Sequence, residues 1–174
     1  MIVVVAGVAG SGKTTVGKLL AGRLSWMFAD GDSFHPEANV AKMRANIPLT
    51  DADRAPWLVA IDAWIDDVLA SGQSAVLACS ALKRRYREEI LTGRDPVEMV
   101  FLDITQAECR LRTTARKGHF FHEALVASQF ATLEPPEPDE RVLVVPVGIS
   151  LPGQLVTEII KRLDLRPSPA EQVK

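Results

Sequence analysis

The sequence predicts a three-layer α/β domain built around a mostly parallel β-sheet. Short runs that are apolar on both faces alternate with segments of helical periodicity, as expected for strands that are covered by helices on both sides. The chain has 174 residues, of which 47% are apolar and 24% are charged, close to the average for a globular domain. We expect one domain over residues 1–165 and a flexible tail over residues 166–174, because this polar end contains two prolines.

Strands are predicted where Val, Ile and Leu follow one another without alternating polar residues. Such runs are typical of parallel strands that are buried on both faces. Four runs are strong, and a weaker one, Trp26–Ala29, precedes an acidic turn. The four strong runs are Ile2–Ala6, Ala75–Cys79, Met99–Leu102 and Val142–Val145.

Helices are predicted from apolar residues at steps of three and four. Thr50, with Asp53 three residues later, forms a capping-box pattern for a long helix that Gly72 ends. Ser80 is predicted as the N-cap of the helix after the third strand. The other predicted helices are Lys13–Leu24, Pro36–Arg44, Gln106–Ala115, Glu123–Ala131 and Leu151–Leu163, and the helix that begins at Ser80 extends to Leu91.

Charge and composition argue against several classes of protein. With 20 basic and 22 acidic residues the formal charge is −2, whereas nonspecific nucleic-acid binding needs a basic surface. No apolar run reaches the roughly 18 residues of a membrane helix, so we expect no membrane contact. The two cysteines fit neither a disulfide framework nor a zinc site. We therefore expect a cytoplasmic protein with reduced, buried thiols.

The strongest motif is GVAGSGKT at residues 7–14, which matches G-x-x-x-x-G-K-[ST] between a predicted strand and a predicted helix. Its glycines let phosphate oxygens approach the backbone, and its successive amides form an anion site at a helix N-terminus. Lys13 brings a positive charge to the β- and γ-phosphates, and the Thr14 hydroxyl is a candidate ligand for Mg²⁺. A glycine-rich turn without a ligand is the alternative. The predicted nucleotide-binding residues are Gly7, Ala9, Gly10, Ser11, Gly12, Lys13, Thr14 and Thr15, of which Thr15 is placed to reach the α-phosphate.

A second candidate site follows the weaker strand, in the sequence Asp30-Gly31-Asp32. This strand end faces the same crevice as the phosphate loop. On an extended segment residues i and i+2 point the same way, so one carboxylate could serve a metal and the other could accept a hydroxyl proton from the phosphoryl acceptor. A plain polar turn is the alternative. His35 is either a ligand or a loop histidine.

Three cations occur where helix electrostatics alone does not require them. Arg54 lies in the first turn of a predicted helix, where a cation opposes the helix dipole. It either binds an anionic ligand through bidentate hydrogen bonds or pairs with Asp51 or Asp53. Lys83 and Arg87 share one face of the next helix and could jointly hold a carboxylate. Four cations occur within residues 83–87, and a solvated charged face is the usual alternative explanation for such a run.

A basic segment between two predicted helices is a candidate lid over about residues 112–131. It contains Arg112, Arg116 and His119. A basic lid that closes on phosphates supplies positive charge to the transition state and excludes water. The neighbouring phenylalanines, Phe120 and Phe121, are either anchors of the lid or core residues.

Taken in order, these motifs resemble those of the gluconate kinases, small P-loop kinases related in fold to shikimate and adenylate kinases. The resemblance extends from about residue 2 to about residue 160. The phosphate loop alone belongs to many families, but the later motifs together are specific. The motifs are GVAGSGKT at 7–14, DGDSFHP at 30–36, KM at 42–43, PLTDADRAPWL at 48–58, CSALKRRYR at 79–87, RKGHFF at 116–121 and QFATLEPP at 129–136.

The resemblance implies a reaction in which ATP and D-gluconate give 6-phospho-D-gluconate and ADP, with Mg²⁺ as cofactor. It also implies a five-stranded parallel sheet of order 2-3-1-4-5, a helical lid and a homodimer. The stretch between Arg110 and Lys117 is slightly longer than in the family pattern. The resemblance therefore does not decide which of Arg110, Arg112 and Arg116 contacts phosphate. The implied roles on the acceptor side are Asp32 as base or orienter of the 6-hydroxyl, Asp30 near the metal, and Arg54, Lys83 and Arg87 on the acid substrate. In the lid the resemblance implies Arg116, Lys117 and His119, with Arg116 catalytic. Arg112 is implied either to stack on adenine or to reach phosphate, and the loop at Val147-Gly148 is implied to lie near adenine.

Two other functions remain open at this point. A related P-loop kinase could act on another small sugar acid or on shikimate. A nucleotide-binding module without transferase activity is the second alternative, although the Asn-Lys-x-Asp motif of switch GTPases is missing from the sequence. The acidic turn and the basic lid favour a transferase, since a pure binder has no use for them.

Overall fold

The computed structural model describes residues 1–45, 47–114 and 123–168. Within these ranges the chain forms one five-stranded sheet in the order β2-β3-β1-β4-β5, and every neighbouring pair of strands is parallel. The predicted sheet and its order are confirmed. The strands are β1 (Ile2–Ala6), β2 (Met27–Asp30), β3 (Ala75–Ala78), β4 (Val97–Asp103) and β5 (Val142–Pro146).

Helices connect the strands at close to the predicted positions. Thr50 caps α3 in a capping box: its side chain accepts from the Asp53 amide at 3.2 Å, and the Asp53 carboxylate accepts from the Thr50 amide at 2.9 Å. The helices are α1 (Lys13–Leu24), α2 (Glu37–Arg44), α3 (Asp51–Ala70), α4 (Arg84–Leu91), α5 (Gln106–Thr114), α6 (Glu123–Thr132) and α7 (Pro152–Arg162), with a 3-10 helix over Gly31–Phe34.

The start of α4 differs from the prediction. Ser80 is not its N-cap, because the chain stays irregular until Lys83 and the helix begins at Arg84. Ala81 takes a left-handed backbone conformation with φ of 40°, which is incompatible with a helix that runs on from Ser80. The four residues between β3 and Lys83 therefore remain in a loop at the edge of the sheet.

The core has two halves, one on each face of the sheet. Alternate residues of β1 point to opposite faces, so Val3 and Val5 join a buried cluster with α1 and α7, whereas Ile2 and Val4 join a second cluster with α3 and α4. All of β1 is buried. This double burial is why the strand is apolar throughout, and it confirms the three-layer prediction.

The carboxyl ends of the strands define one functional edge. At this edge the Gly7 amide donates to the Ser80 carbonyl at 3.3 Å, which links the ends of β1 and β3. Further along, the Val147 amide donates to the Asp103 carbonyl at 2.8 Å and links the ends of β4 and β5. These two bonds hold the segments after β1 and β3 side by side, and do the same for the segments after β4 and β5.

Both cysteines and the described start of the tail are attached to the core. Cys79 and Cys109 are free and buried, and burial raises the pKa of the Cys79 thiol to about 12. Leu165 is buried, and the Ser168 amide donates to the Leu24 carbonyl at 2.9 Å. The beginning of the predicted flexible tail thus packs on α1, and residues 169–174 lie outside the described ranges.

Candidate active site

The phosphate loop lies between β1 and α1, and its three glycines, at positions 7, 10 and 12, all have positive φ. Gly7 has φ of 138°, and a Cβ there would lie 2.9 Å from the Leu102 carbonyl oxygen, so only glycine fits. Gly12 caps α1 with φ of 103° and provides no side chain to accept from the first helical amides. Those amides are left for an external anion, and α1 has no acidic residue in its first turn.

Lys13 folds back over this loop. Its Nζ donates to the Val8 carbonyl at 3.0 Å, which holds the ammonium group beside the anion site. Burial lowers the pKa of Lys13, and the nearby carboxylates Asp32 and Asp30 oppose that shift. The ammonium therefore gains from any additional anion that neutralises it in this environment.

The acidic turn is built differently from the prediction, although it reaches the same place. Asp32 lies in the 3-10 helix rather than on an extended segment, and its amide donates to Oδ1 of Asp30 at 3.2 Å. The other carboxylate oxygen of Asp30 accepts from the Thr14 hydroxyl at 3.3 Å. Asp30 is thus shared between the cap of the turn and the first turn of α1.

The turn fits tightly against β3 because Gly31 has no side chain. A Cβ on Gly31 would lie 2.7 Å from the Ala78 carbonyl oxygen. Its own carbonyl accepts from Nε1 of Trp57 at 2.7 Å, which attaches the turn to α3. The position of the Asp32 side chain therefore depends on α3 as well as on β2.

His35 lies flat on Trp57 and has a defined tautomer. The two rings are stacked with centroids 4.8 Å apart. The Asn39 amide nitrogen donates to the Asp53 carbonyl at 2.7 Å and lies 3.3 Å from Nδ1 of His35, so Nδ1 accepts and Nε2 carries the proton. Burial lowers the pKa of His35, and the Arg54 guanidinium adds to this shift while Asp32 opposes it. At neutral pH the imidazole is therefore uncharged.

A cavity of about 440 Å³ joins the two candidate sites. Its volume suits a small-molecule site. Apolar side chains from α3 and the preceding segment, including Trp57 and Leu49, close one wall. The predicted site residues that line the cavity are Ala9, Gly10, Gly12, Lys13, Thr14, Thr15, Asp30, Asp32, His35 and Arg54.

Next to Arg54, the Asp51 carboxylate collects several donors. Lys83 Nζ donates to its two oxygens at 2.9 and 3.0 Å, and the Tyr86 hydroxyl donates to it as well. Arg85 forms a further ion pair with Asp51. The contact from Arg54 is longer, with 3.9 Å between its Nη1 and Oδ1 of Asp51. These bonds lower the pKa of Asp51, the Tyr86 hydroxyl being the largest cause. Arg54 is therefore the member of this group that faces the cavity without a close acidic partner among the described residues.

Comparison with known proteins places this geometry in a family. A family model described as an AAA domain matches residues 2–136. The gluconokinase of Gluconobacter oxydans is 48% identical over 158 residues, which cover 91% of this chain and 88% of that protein. The chain belongs to the gluconokinase family.

Solved structures support the assignment to the gluconokinase family at the level of the whole fold. A gluconokinase from Sinorhizobium meliloti superposes with a TM-score of 0.81 at 39% identity, over 93% of this chain and 90% of that one. A sugar kinase from Janibacter sp. superposes with a TM-score of 0.87 at 42% identity, over 95% of both chains. The membership predicted from the motifs is confirmed.

One predicted substrate residue of this gluconokinase-family chain is placed elsewhere. Arg87 does not line the cavity, and its side chain is completely buried. The guanidinium donates to both carboxylate oxygens of Glu140 at 2.7 and 2.8 Å and to the carbonyls of Ala81 and Leu82. The prediction that Lys83 and Arg87 jointly hold a substrate carboxylate is therefore wrong. The donors of Arg87 are used inside the protein, and Lys83, which does not line the cavity either, donates to Asp51.

Other predicted residues fall in three further places. Arg112 donates to the Gly148 carbonyl at 2.6 Å, which brings together the two elements that the family resemblance places near adenine. Gly7 and Ser11 are buried and do not line the cavity. The lid residues Arg116, Lys117 and His119 lie outside the described ranges.

Sequence reasoning missed several residues of the site. Tyr86 lines the cavity and donates to Asp51, and Gln129 lines it from α6. Asn39 is buried and positions His35. Asn39 had no signal in the sequence beyond its place between two motifs. Tyr86 and Gln129 stood inside quoted motifs, but only the folded chain shows which side they face.

The described ranges contain no group of three or more His, Cys, Asp or Glu side chains suited to a metal ion. The adjacent oxygens of Thr14 and Asp30 still fit Mg²⁺, which prefers one or two protein oxygens together with substrate phosphates. Among the described helices, none combines the length and hydrophobicity that spanning a bilayer requires.

Proposed function

We propose that this chain transfers the γ-phosphoryl group of ATP to the 6-hydroxyl of D-gluconate, giving 6-phospho-D-gluconate and ADP. One observation carries the proposal: a single cavity is lined by the phosphate loop with Lys13 and by the acceptor-side residues Asp32 and Arg54. Phosphoryl transfer depends on positioning and charge neutralisation more than on covalent chemistry by the protein. The cavity contains candidate residues both for positioning the substrates and for neutralising charge.

The phosphate end of the cavity binds the triphosphate. The first amides of α1 donate to phosphate oxygens, and Lys13 adds a positive charge where negative charge builds up. Thr14 and Asp30 would hold Mg²⁺, which neutralises phosphate charge when it is bound. Arg112, next to Gly148, is proposed to lie against the adenine, and Arg116 and His119 are proposed to serve from the lid.

The acceptor end binds the sugar acid. Asp32 is proposed to orient the 6-hydroxyl and to accept its proton as the phosphoryl group arrives. Arg54 is proposed to bind the carboxylate, because it faces the cavity and has only a long contact to Asp51. The uncharged His35 has an Nε2 proton that suits a sugar hydroxyl. Lys83 is proposed to support this end through Asp51.

A coupled assay for ADP tests the proposal. A panel of acids at equal concentration, including gluconate, other sugar acids and shikimate, is compared with a blank that contains ATP alone. We expect turnover on gluconate well above the blank and a 6-phosphorylated product by ³¹P NMR. Strong turnover of another acid with none on gluconate would instead identify a related kinase of different specificity. The homodimer and the cytoplasmic location stay predictions.

A further inference from the structure

The backbone of Ala9, in the phosphate loop, is held from two sides by distant side chains. Its amide donates to Oε1 of Gln129 on α6 at 2.6 Å. Its carbonyl accepts from Sγ of Cys109 on α5 at 3.0 Å. The two helices precede and follow residues 115–122 in the chain, so neither contact is part of the loop motif itself.

The chemistry of these contacts fixes how the Gln129 side chain is oriented. A backbone amide needs an acceptor, so the carboxamide oxygen faces Ala9 and the NH₂ group faces away from it. Gln129 also lines the cavity that contains Lys13 and Thr14. The side chain is therefore in contact with the loop backbone and adjacent to the space for the ligand.

The loop has few other anchors at this point. Both the Ser11 amide, at 3.2 Å, and Lys13 Nζ, at 3.0 Å, bond to the carbonyl of Val8. The following glycines, Gly10 and Gly12, have φ of 84° and 103° and give the backbone wide conformational freedom. An anchor on Ala9, between Val8 and Gly10, therefore selects one orientation for the amides that follow.

We propose that Gln129 is a positioning residue for nucleotide binding, which acts by fixing the backbone at Ala9, with Cys109 as a weaker second anchor. The inference rests on the proposed function only in taking ATP as the nucleotide. Pre-organised amides bind phosphate without first having to be ordered. Loss of the anchor is therefore expected to weaken the binding of ATP more than the binding of the acceptor. Because a thiol is a weak donor, Cys109 contributes less.

The test replaces Gln129 by a side chain of equal length that cannot accept this bond. Gln129→Met is expected to raise the Kd for ATP roughly tenfold, as expected for one lost hydrogen bond to a partly buried amide. This Kd is measured by calorimetry without acceptor. The KM for gluconate is expected to stay within about twofold, and the Ala9 amide, followed by NMR, is expected to exchange its hydrogen faster.

A matched control exists elsewhere in the chain. Gln154 accepts from the Leu151 amide at 2.8 Å in the cap of α7, so Gln154→Met removes the same type of bond on an exposed helix end. We expect this variant to lose thermal stability and to bind ATP like the wild type. Equal weakening of ATP binding in both variants would overturn the inference, because the effect would then be one of general stability.

A second variant guards against misfolding of the first. Gln129→Glu keeps an oxygen that accepts from Ala9, so we expect slow exchange of the Ala9 amide to return. Normal ATP affinity in Gln129→Met, or a raised KM for gluconate with normal ATP affinity, would overturn the inference. If the wild type bound ATP but did not phosphorylate gluconate, only the proposed function would fail, since the ATP measurements need no acceptor.

Discussion

The two ends of the cavity are built in different ways. The phosphate end consists of one continuous segment, residues 7–15, whose backbone does most of the binding in the proposed function. The acceptor end consists of side chains from separate segments: Asp32 after β2, Arg54 on α3 and Tyr86 on α4. The first depends on local backbone conformation, and the second depends on how helices pack against the sheet.

This difference explains which errors the sequence interpretation made. Backbone amides at a helix N-terminus bind anions whatever surrounds them, so a local motif is sufficient to predict them. A cationic side chain is available for a substrate only when it does not already form a close ion pair with an acidic side chain of the protein. Arg54 and Arg87 look alike in the sequence, yet Arg54 is 3.9 Å from Asp51 whereas Arg87 is bonded to Glu140 at 2.7 Å.

The largest effect is expected at the phosphate end. Lys13→Ala is expected to lower kcat/KM roughly a thousandfold or more, because it removes a positive charge from the place where the transition state accumulates negative charge. The coupled assay measures this loss, and circular dichroism checks that the fold is retained. Lys18→Ala, on the exposed side of the same helix, serves as control and should keep its activity.

Asp32 tests whether the acceptor end contributes chemistry as well as binding. Asp32→Asn is expected to lower kcat by roughly a hundredfold, because the amide cannot accept the hydroxyl proton, while the Kd for ATP stays within a few-fold. Turnover like that of the wild type would remove Asp32 from the mechanism and leave the acceptor end a binding surface only.

Arg54 sharpens the comparison at the level of substrate affinity. Arg54→Met is expected to raise the KM for gluconate about tenfold or more, as for a charge-assisted hydrogen bond, with little change in the KM for ATP. Arg54→Lys should restore little of this, since a single ammonium cannot form a bidentate contact. Arg162→Met removes an exposed cation from α7 as control. An increase confined to the KM for ATP would place Arg54 at the wrong end of the cavity.

Arg87 is expected to affect stability rather than catalysis. Arg87→Met leaves the Glu140 carboxylate buried without its partner, which costs about 3–5 kcal/mol in the free energy of unfolding. Urea denaturation measures the loss, and the KM for gluconate is expected to stay unchanged in the folded fraction. Arg84→Met, which breaks only exposed ion pairs, should shift the midpoint little. A raised KM in Arg87→Met at normal stability would restore the original substrate role.

The smallest effect is a dependence on pH. The hydrogen bond from Arg87 is the largest cause that holds the pKa of Glu140 below its ordinary value of 4.5. A lowered folded-state pKa contributes stability that is present above about pH 4.5 and is lost as the pH falls through the lower, folded value. Urea midpoints between pH 6 and 3 should show a decline that is shallower in Glu140→Gln. Parallel declines in both proteins would show that another acid is responsible.

The site shows how far sequence interpretation extended. The capping box at Thr50 and the phosphate loop were predicted in detail because each is a local pattern with a local cause. The N-cap prediction at Ser80 was wrong because the buried Ala81 has a left-handed backbone conformation, which no local sequence pattern predicts. Asn39 and Gln129 were missed because a polar side chain shows its role only through the partner it meets.

By itself, the sequence determined the order of strands and helices, the candidate anion site before α1 and, through its ordered motifs, membership of the gluconokinase family. A strand buried on both faces is a continuous apolar run, and a capped helix begins with a characteristic residue type, so both features can be predicted from short segments of sequence. Only the tertiary structure decided which cation meets which acid, as in the Arg87–Glu140 pair and the Asp51 group. Electrostatic contacts between distant segments depend on ångström distances in space, and spacing along the chain does not encode those distances.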